Sequence, residues 1–256
     1  MNLTQGNITR KLLRFTLPIL VIQFLNQAYT LADNIIVARF VNEEALSVLS
    51  TVSSALLVAY CLMQGLSGAS TILCGNLFGA GESGKLRSTV RVLTLFALFV
   101  SLFLVAVCAV GAPLIFRLLK VPAQIVPECE SLLFIYALSL PPTFVCSACT
   151  AALNGMGNSR IPMINSVGSQ LLNIVLDVLA VAVWGFGVRG AAWASFFSVV
   201  VAMLLNLRQL KLSLDSLPAQ DGTPAPAAYS ARGCLKQYVP LAVPSILQQS
   251  IMSIGS

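Results

Sequence analysis

Four stretches of this 256-residue chain, 45–81, 92–116, 131–159 and 190–207, contain no Asp, Glu, Lys or Arg. Soluble domains carry a charge at roughly one position in four, whereas about 20 consecutive apolar residues suffice for a helix to cross the ~30 Å hydrocarbon core of a bilayer. Each stretch therefore predicts a membrane-spanning helix. Two further segments, from Arg14 to Arg39 and from Arg160 to Arg189, hold a single charge between their ends, Asp33 in one and Asp177 in the other. The expected fold class is all-α: a polytopic membrane protein with a six-helix transmembrane bundle over 14–39, 45–79, 86–116, 124–154, 159–184 and 188–212. Only helices satisfy their backbone polar groups within one segment, which apolar surroundings require.

Composition excludes other classes. Hydrophobic residues make up 57% of the chain and charged residues 9%, far from the balance of a soluble domain. The net charge of +6 does not signal nucleic acid, because the basic residues stand at segment ends and no stacking aromatics interleave with them. Taken alternately along the spans, one membrane side collects Arg10, Lys11, Arg14, Lys85, Arg87, Arg91, Arg160, Arg208, Lys211, Arg232 and Lys236. The other side collects Arg39, Arg117, Lys120 and Arg189. By the positive-inside rule the N-terminus is expected in the cytoplasm of a multi-pass protein of the inner membrane. The opening MNLTQGNITRKLLRF runs straight into a span of full membrane length, so insertion is expected through the spans themselves rather than a cleaved signal.

Three details refine the spans. The 45–79 helix is longer than the hydrocarbon core and should tilt or project into the cytoplasm. Pro18 should bend the first span and Pro141-Pro142 the fourth, since each proline removes a backbone donor and crowds the preceding turn. The seven cysteines lie mostly within apolar runs and read as small core residues. That includes the Cys146-x-x-Cys149 pair, which has metal or redox spacing in a chain without histidine.

The segment SLDSLPAQDGTPAPAAYSA, rich in Pro, Ala and Ser, reads as a cytoplasmic linker. The expected organisation is a six-helix lobe at 1–212, a linker at 213–231 and the start of a second lobe at 232–256. The last segment repeats the first at an offset of 222 residues, with Arg10 on Arg232, Leu13 on Leu235, Pro18 on Pro240, Val21 on Val243, Leu25 on Leu247 and Gln27 on Gln249. Transporters are commonly built from such repeats. Pro240, Pro244, Ser245, Gln248, Gln249 and Ser250 give this seventh helix more polar character than lipid tolerates. On sequence alone it is expected to be the least stably held part of the chain.

Seven of the nine acids fall at helix ends or in loops, leaving Asp33 and Asp177 inside spans. An intramembrane acid costs at least ~2.5 kcal/mol on insertion scales, so it marks a functional site by default. Asp33 precedes Arg39 by six residues, about 9 Å of helix, and Asp177 precedes Trp184 by seven, about 10 Å, which sets the two at one depth. Asn173 stands one turn before Asp177, Tyr29 one turn before Asp33, and Asn26 a turn below Tyr29. Such a cluster supplies oxygen ligands for Na⁺ or carboxyls that exchange a proton, and it can attract an organic cation. No other cofactor is expected.

Several segments carry a family resemblance: the first span with Pro18, Tyr29 and Asp33, the run GASTILCGNLFGAGESGKLR, the segment ALNGMGNSRIPM, NIVLD at 173–177, and GFGVRGAAWAS. In order and spacing they resemble the N-terminal lobe of the multidrug and toxic compound extrusion (MATE) transporters, over essentially all of 1–212 and the beginning of a second lobe. The resemblance implies two six-helix lobes around a V-shaped cavity and export of cationic drugs in exchange for H⁺ or Na⁺, with no enzymatic activity. Carried over by position, Asp33, Asn173, Asp177 and Ser195 fall on the cation-coupling cluster. Ser195 stands where many members have threonine. Asn26 and Tyr29 line the cavity and Pro18 lies at the bend of the first helix. A Na⁺-coupled protein would hold the ion on Asp33, Asn173 and Asp177.

The resemblance also implies partners: the lipid bilayer, a small organic cation as substrate, and a second lobe or second copy of the chain. Alternative readings are a lipid-linked oligosaccharide flippase of the same superfamily, for which more basic residues in the cavity are expected, and a truncated membrane protein that transports nothing. An intramembrane aspartyl protease is disfavoured, because the acids sit in TLAD and IVLD rather than in YD and GxGD contexts.

Overall fold

The computed structural model describes residues 43–119, 121–122, 125–217 and 231–254, together with the single positions 16, 17, 20, 24, 27 and 31. Among the described residues there is no β-strand. The helices are α1 (Glu43–Gly79), α2 (Ser83–Leu118), α3 (Val126–Gly155), α4 (Arg160–Asp177), α5 (Gly187–Asp215) and α6 (Ala231–Ile254), and a π-helical segment, Val178–Val183, prolongs α4. Five of them contain spans long and apolar enough to cross a membrane: Ser47–Gly79, Ser83–Leu118, Val126–Gly155, Arg160–Val181 and Gly187–Asp215. The predicted extents 45–79, 86–116, 124–154, 159–184 and 188–212 thus locate these helices to within a few residues. The expected bend at Pro18 lies outside the described residues. α3 runs through Pro141 and Pro142 without a break in its helical assignment.

The centre of the bundle is α3, which packs against α1, α2 and α5. Its sequence suits that place, since the buried positions Ala137, Ser139, Ala148, Cys149, Ala151 and Ala152 are small and let neighbouring backbones approach. The closest crossing is at its end. A Cβ on Gly155 would stand 2.8 Å from both the Cβ of Cys74 and the carbonyl oxygen of Thr71, and 2.9 Å from the amide nitrogen of Gly75. Only glycine fits there, so the glycine of ALNGMG fixes how closely α3 meets α1.

Two apolar clusters fill the bundle, one toward each membrane face. The first gathers Val52, Leu56, Phe116, Leu133, Phe144 and Ala192, among others. The second gathers Leu73, Cys74, Leu86, Cys149, Leu153 and Leu210, and extends to Cys234, Tyr238 and Ala242 of α6. All seven cysteines are free thiols and all but Cys146 are buried, as small core residues would be.

α6 departs from the sequence expectation. Instead of lacking partners, it lies along α1 and also touches α2. The Tyr238 hydroxyl donates to the carbonyl of Leu66 at 2.7 Å and accepts from Ser70 Oγ at 3.2 Å. Its ring meets Phe96 edge-on at 6.0 Å between centroids. Gly65 makes this crossing possible, since a Cβ there would stand 2.5 Å from the Cα of Ile246. The hydroxyls of Ser245 and Ser250 turn back on the carbonyls of Leu241 and Ile246 in their own helix. Pro240, Pro244 and Gln248 remain exposed.

Candidate functional site

α4 and α5 form an antiparallel hairpin joined by the sequence Trp184-Gly185-Phe186. The turn demands glycine: Gly185 and Gly187 have φ of +66° and +58°, a region costly for residues with a Cβ. Gly190 has a different reason, because a Cβ there would lie 2.8 Å from that of Phe186 and 3.1 Å from that of Ala180. The GFGVRG motif is therefore the sequence of a tight hairpin whose two arms are pressed together just beyond Asp177.

Asp177 is the last residue of α4 before the wider π turn begins. π-helical turns inside α-helices occur frequently at functional sites, and here the Trp184 N–H reaches five residues back to the Leu179 carbonyl at 2.9 Å. Asp177 has no exposed surface, and it is the one charged side chain that is fully buried among the described residues. One turn before it, Asn173 is also buried and donates through Nδ2 to Ser195 Oγ of α5 at 3.3 Å. The structure thus brings Asn173 and Ser195 together and sets Asp177 a turn away on the same helix. Asp33, Asn26, Tyr29 and Pro18 lie outside the described residues. Carboxylate, amide and hydroxyl oxygens suit a proton or a hard cation such as Na⁺. Among the described residues no three His, Cys, Asp or Glu side chains converge.

Below this site the seam between α4 and α5 continues as a ladder of polar contacts. Ser169 Oγ donates to the Ser198 carbonyl at 2.9 Å, and Asn165 Nδ2 donates to Asn206 Oδ1 at 2.7 Å. Asn206 is wholly buried, and its own amide nitrogen reaches Cys146 Sγ at 3.2 Å and Thr150 Oγ1 at 3.4 Å on α3. These residues were not singled out from the sequence, although the spacing Asn165, Ser169, Asn173, Asp177, every fourth position, was there to be read.

Long apolar helices enclosing one buried acid beside an amide and a hydroxyl define a multi-pass membrane protein with an intramembrane polar site. The sequence model of the MatE family matches residues 18–179. The chain is 24% identical over 204 residues to the probable multidrug resistance protein YpnP of Bacillus subtilis (strain 168), covering 80% of this chain and 46% of that protein. It is 24% identical over 212 residues to the probable multidrug resistance protein YoeA of the same organism, covering 81% and 46%. The fold superposes on the crystal structure of a MATE protein in the straight conformation with a TM-score of 0.84 at 23% identity, over 97% of this chain and 55% of that one. The chain belongs to the MatE family, a family of transporters, and spans about half the length of the curated relatives it matches.

Proposed function

We propose that this chain forms the N-terminal lobe of a cation-coupled antiporter that exports organic cations or drugs across the cytoplasmic membrane. Asp177 is the exchange group in this reading, with Asn173 and Ser195 beside it and Asp33 as the partner acid from the 14–39 span. The observation that carries the proposal is the complete burial of Asp177 at the α-to-π junction, next to the Asn173–Ser195 contact. A carboxyl group so deep in an apolar bundle carries a proton or holds a cation, because leaving it bare is expensive. Alternation between those two occupants is what an antiporter needs. The N-terminus lies in the cytoplasm on the positive-inside argument. A second lobe or a second copy of the chain completes the substrate cavity.

The test is drug accumulation in a host lacking its own efflux pumps, with Na⁺ replaced by choline in one arm and the proton gradient collapsed in another. Expression of the protein should lower accumulation, and one of the two arms should abolish that effect. With both gradients intact, Asp177→Asn should abolish it while inserting normally, since a neutral amide is cheaper to bury than a charge. Undiminished efflux by Asp177→Asn would remove the coupling role from this residue. Accumulation equal to that of the empty host would remove transport by this chain.

A further inference from the structure

The α4–α5 hairpin carries a groove of about 400 Å³ on its surface, beside the site described above and distinct from it. Trp184, Phe186, Trp193 and Phe197 line it, together with Ala180 of the π segment and Arg189. The rings form two pairs: Trp184 and Phe186 lie 5.9 Å apart, and Trp193 and Phe197 lie 6.0 Å apart. All four are exposed, a surface that lipid can reach. Tryptophan concentrates at headgroup depth, where one edge is apolar and the other wet.

Charge and direction identify the occupant. Arg189 is the sole charged side chain lining the groove, and the one ion pair among the described residues joins Lys85 to Glu82, so this guanidinium is available to a ligand. From Arg189 the groove follows α5 past Trp193 to Phe197, about 12 Å. It therefore runs from the end of the bundle toward its middle, as a phospholipid runs from headgroup to tail. A groove of similar size, about 430 Å³, lies between α2 and α3 near the same face, but it carries Glu130. An arginine at headgroup depth attracts an anionic headgroup by simple charge, and the forked guanidinium matches phosphate oxygens in pairs.

We propose that this groove binds one anionic phospholipid of the adjacent leaflet, its phosphate on Arg189 and an acyl chain between Trp193, Phe197 and Trp184.

The chain supplies its own reporter, because its two tryptophans both line the groove. The 256-residue protein is reconstituted into phosphatidylcholine vesicles containing small fractions of lipid brominated on its acyl chains, and quenching of tryptophan fluorescence is measured. Brominated phosphatidylglycerol should reach half-maximal quenching at a mole fraction about fivefold lower than brominated phosphatidylcholine, the preference expected from one basic residue near a headgroup. Arg189→Gln should bring the two curves together and Arg189→Lys should keep most of their separation, with circular dichroism confirming that each variant is folded. Coincident curves for the wild-type protein would show ordinary annular lipid and overturn the proposal. So would an undiminished preference in folded Arg189→Gln. If that variant fails to fold, the wild-type comparison alone decides.

Discussion

Ser195 is the residue through which α5 reaches the candidate exchange site, and its hydroxyl accepts the Asn173 amide hydrogen. Ser195→Ala removes that acceptor and one oxygen ligand together. Under the proposed function it should raise the coupling-ion concentration for half-maximal efflux about three- to tenfold, the size of one net hydrogen bond. Ser195→Thr, which keeps the oxygen, should stay close to wild type. Equal behaviour of the two variants in an ion-titrated efflux assay would take Ser195 out of the site. Asp177 could be read from the sequence because a charge within an apolar segment costs too much to be accidental. Asn206 could not, although it is equally buried. A neutral amide is cheap enough to occur in many helices, and only the fold reveals that Asn165, Cys146 and Thr150 surround it.

At the scale of elements, Asn206 ties the α4–α5 hairpin to α3. Asn206→Leu should lower stability by about 1–2 kcal/mol, since it strips a partner from polar groups on two other helices at once. The Asn165→Leu, Asn206→Leu double-mutant cycle, followed by thermal unfolding in detergent, should return a positive coupling of about 0.6 kcal/mol or more. Strict additivity would mean that this rung does not form. α6 makes the opposite case about legibility. Its prolines, serines and glutamines suggested a helix without a home, because periodicity within one segment says nothing about a partner 170 residues away. The fold answers with Gly65 and with the Leu66 carbonyl. Amides of 234–246 should therefore exchange slowly with deuterium, and Tyr238→Phe, which keeps the ring against Phe96 but loses the hydroxyl, should speed them several-fold. Rapid exchange of these amides in the wild type would show that the docking does not persist.

For the whole molecule, the bounds of the five long spans among the described residues were legible, because scarcity of charge over a membrane's thickness leaves few other solutions. The π segment after Asp177 was not, since Val178–Val183 reads as ordinary apolar helix. The arrangement of helices was only partly legible: small residues in α3 mark a central helix, but not which neighbours it meets. The seating of α6 on α1 has a consequence for how the gene can be divided. Among the described residues, the contacts that hold Tyr238, Cys234 and Ile246 are made by side chains and glycine notches on α1 and α2. A reading frame cut within 218–230 and expressed as two polypeptides should yield pieces that find each other in the membrane and co-purify, and Gly65→Leu, by filling the notch, should separate them.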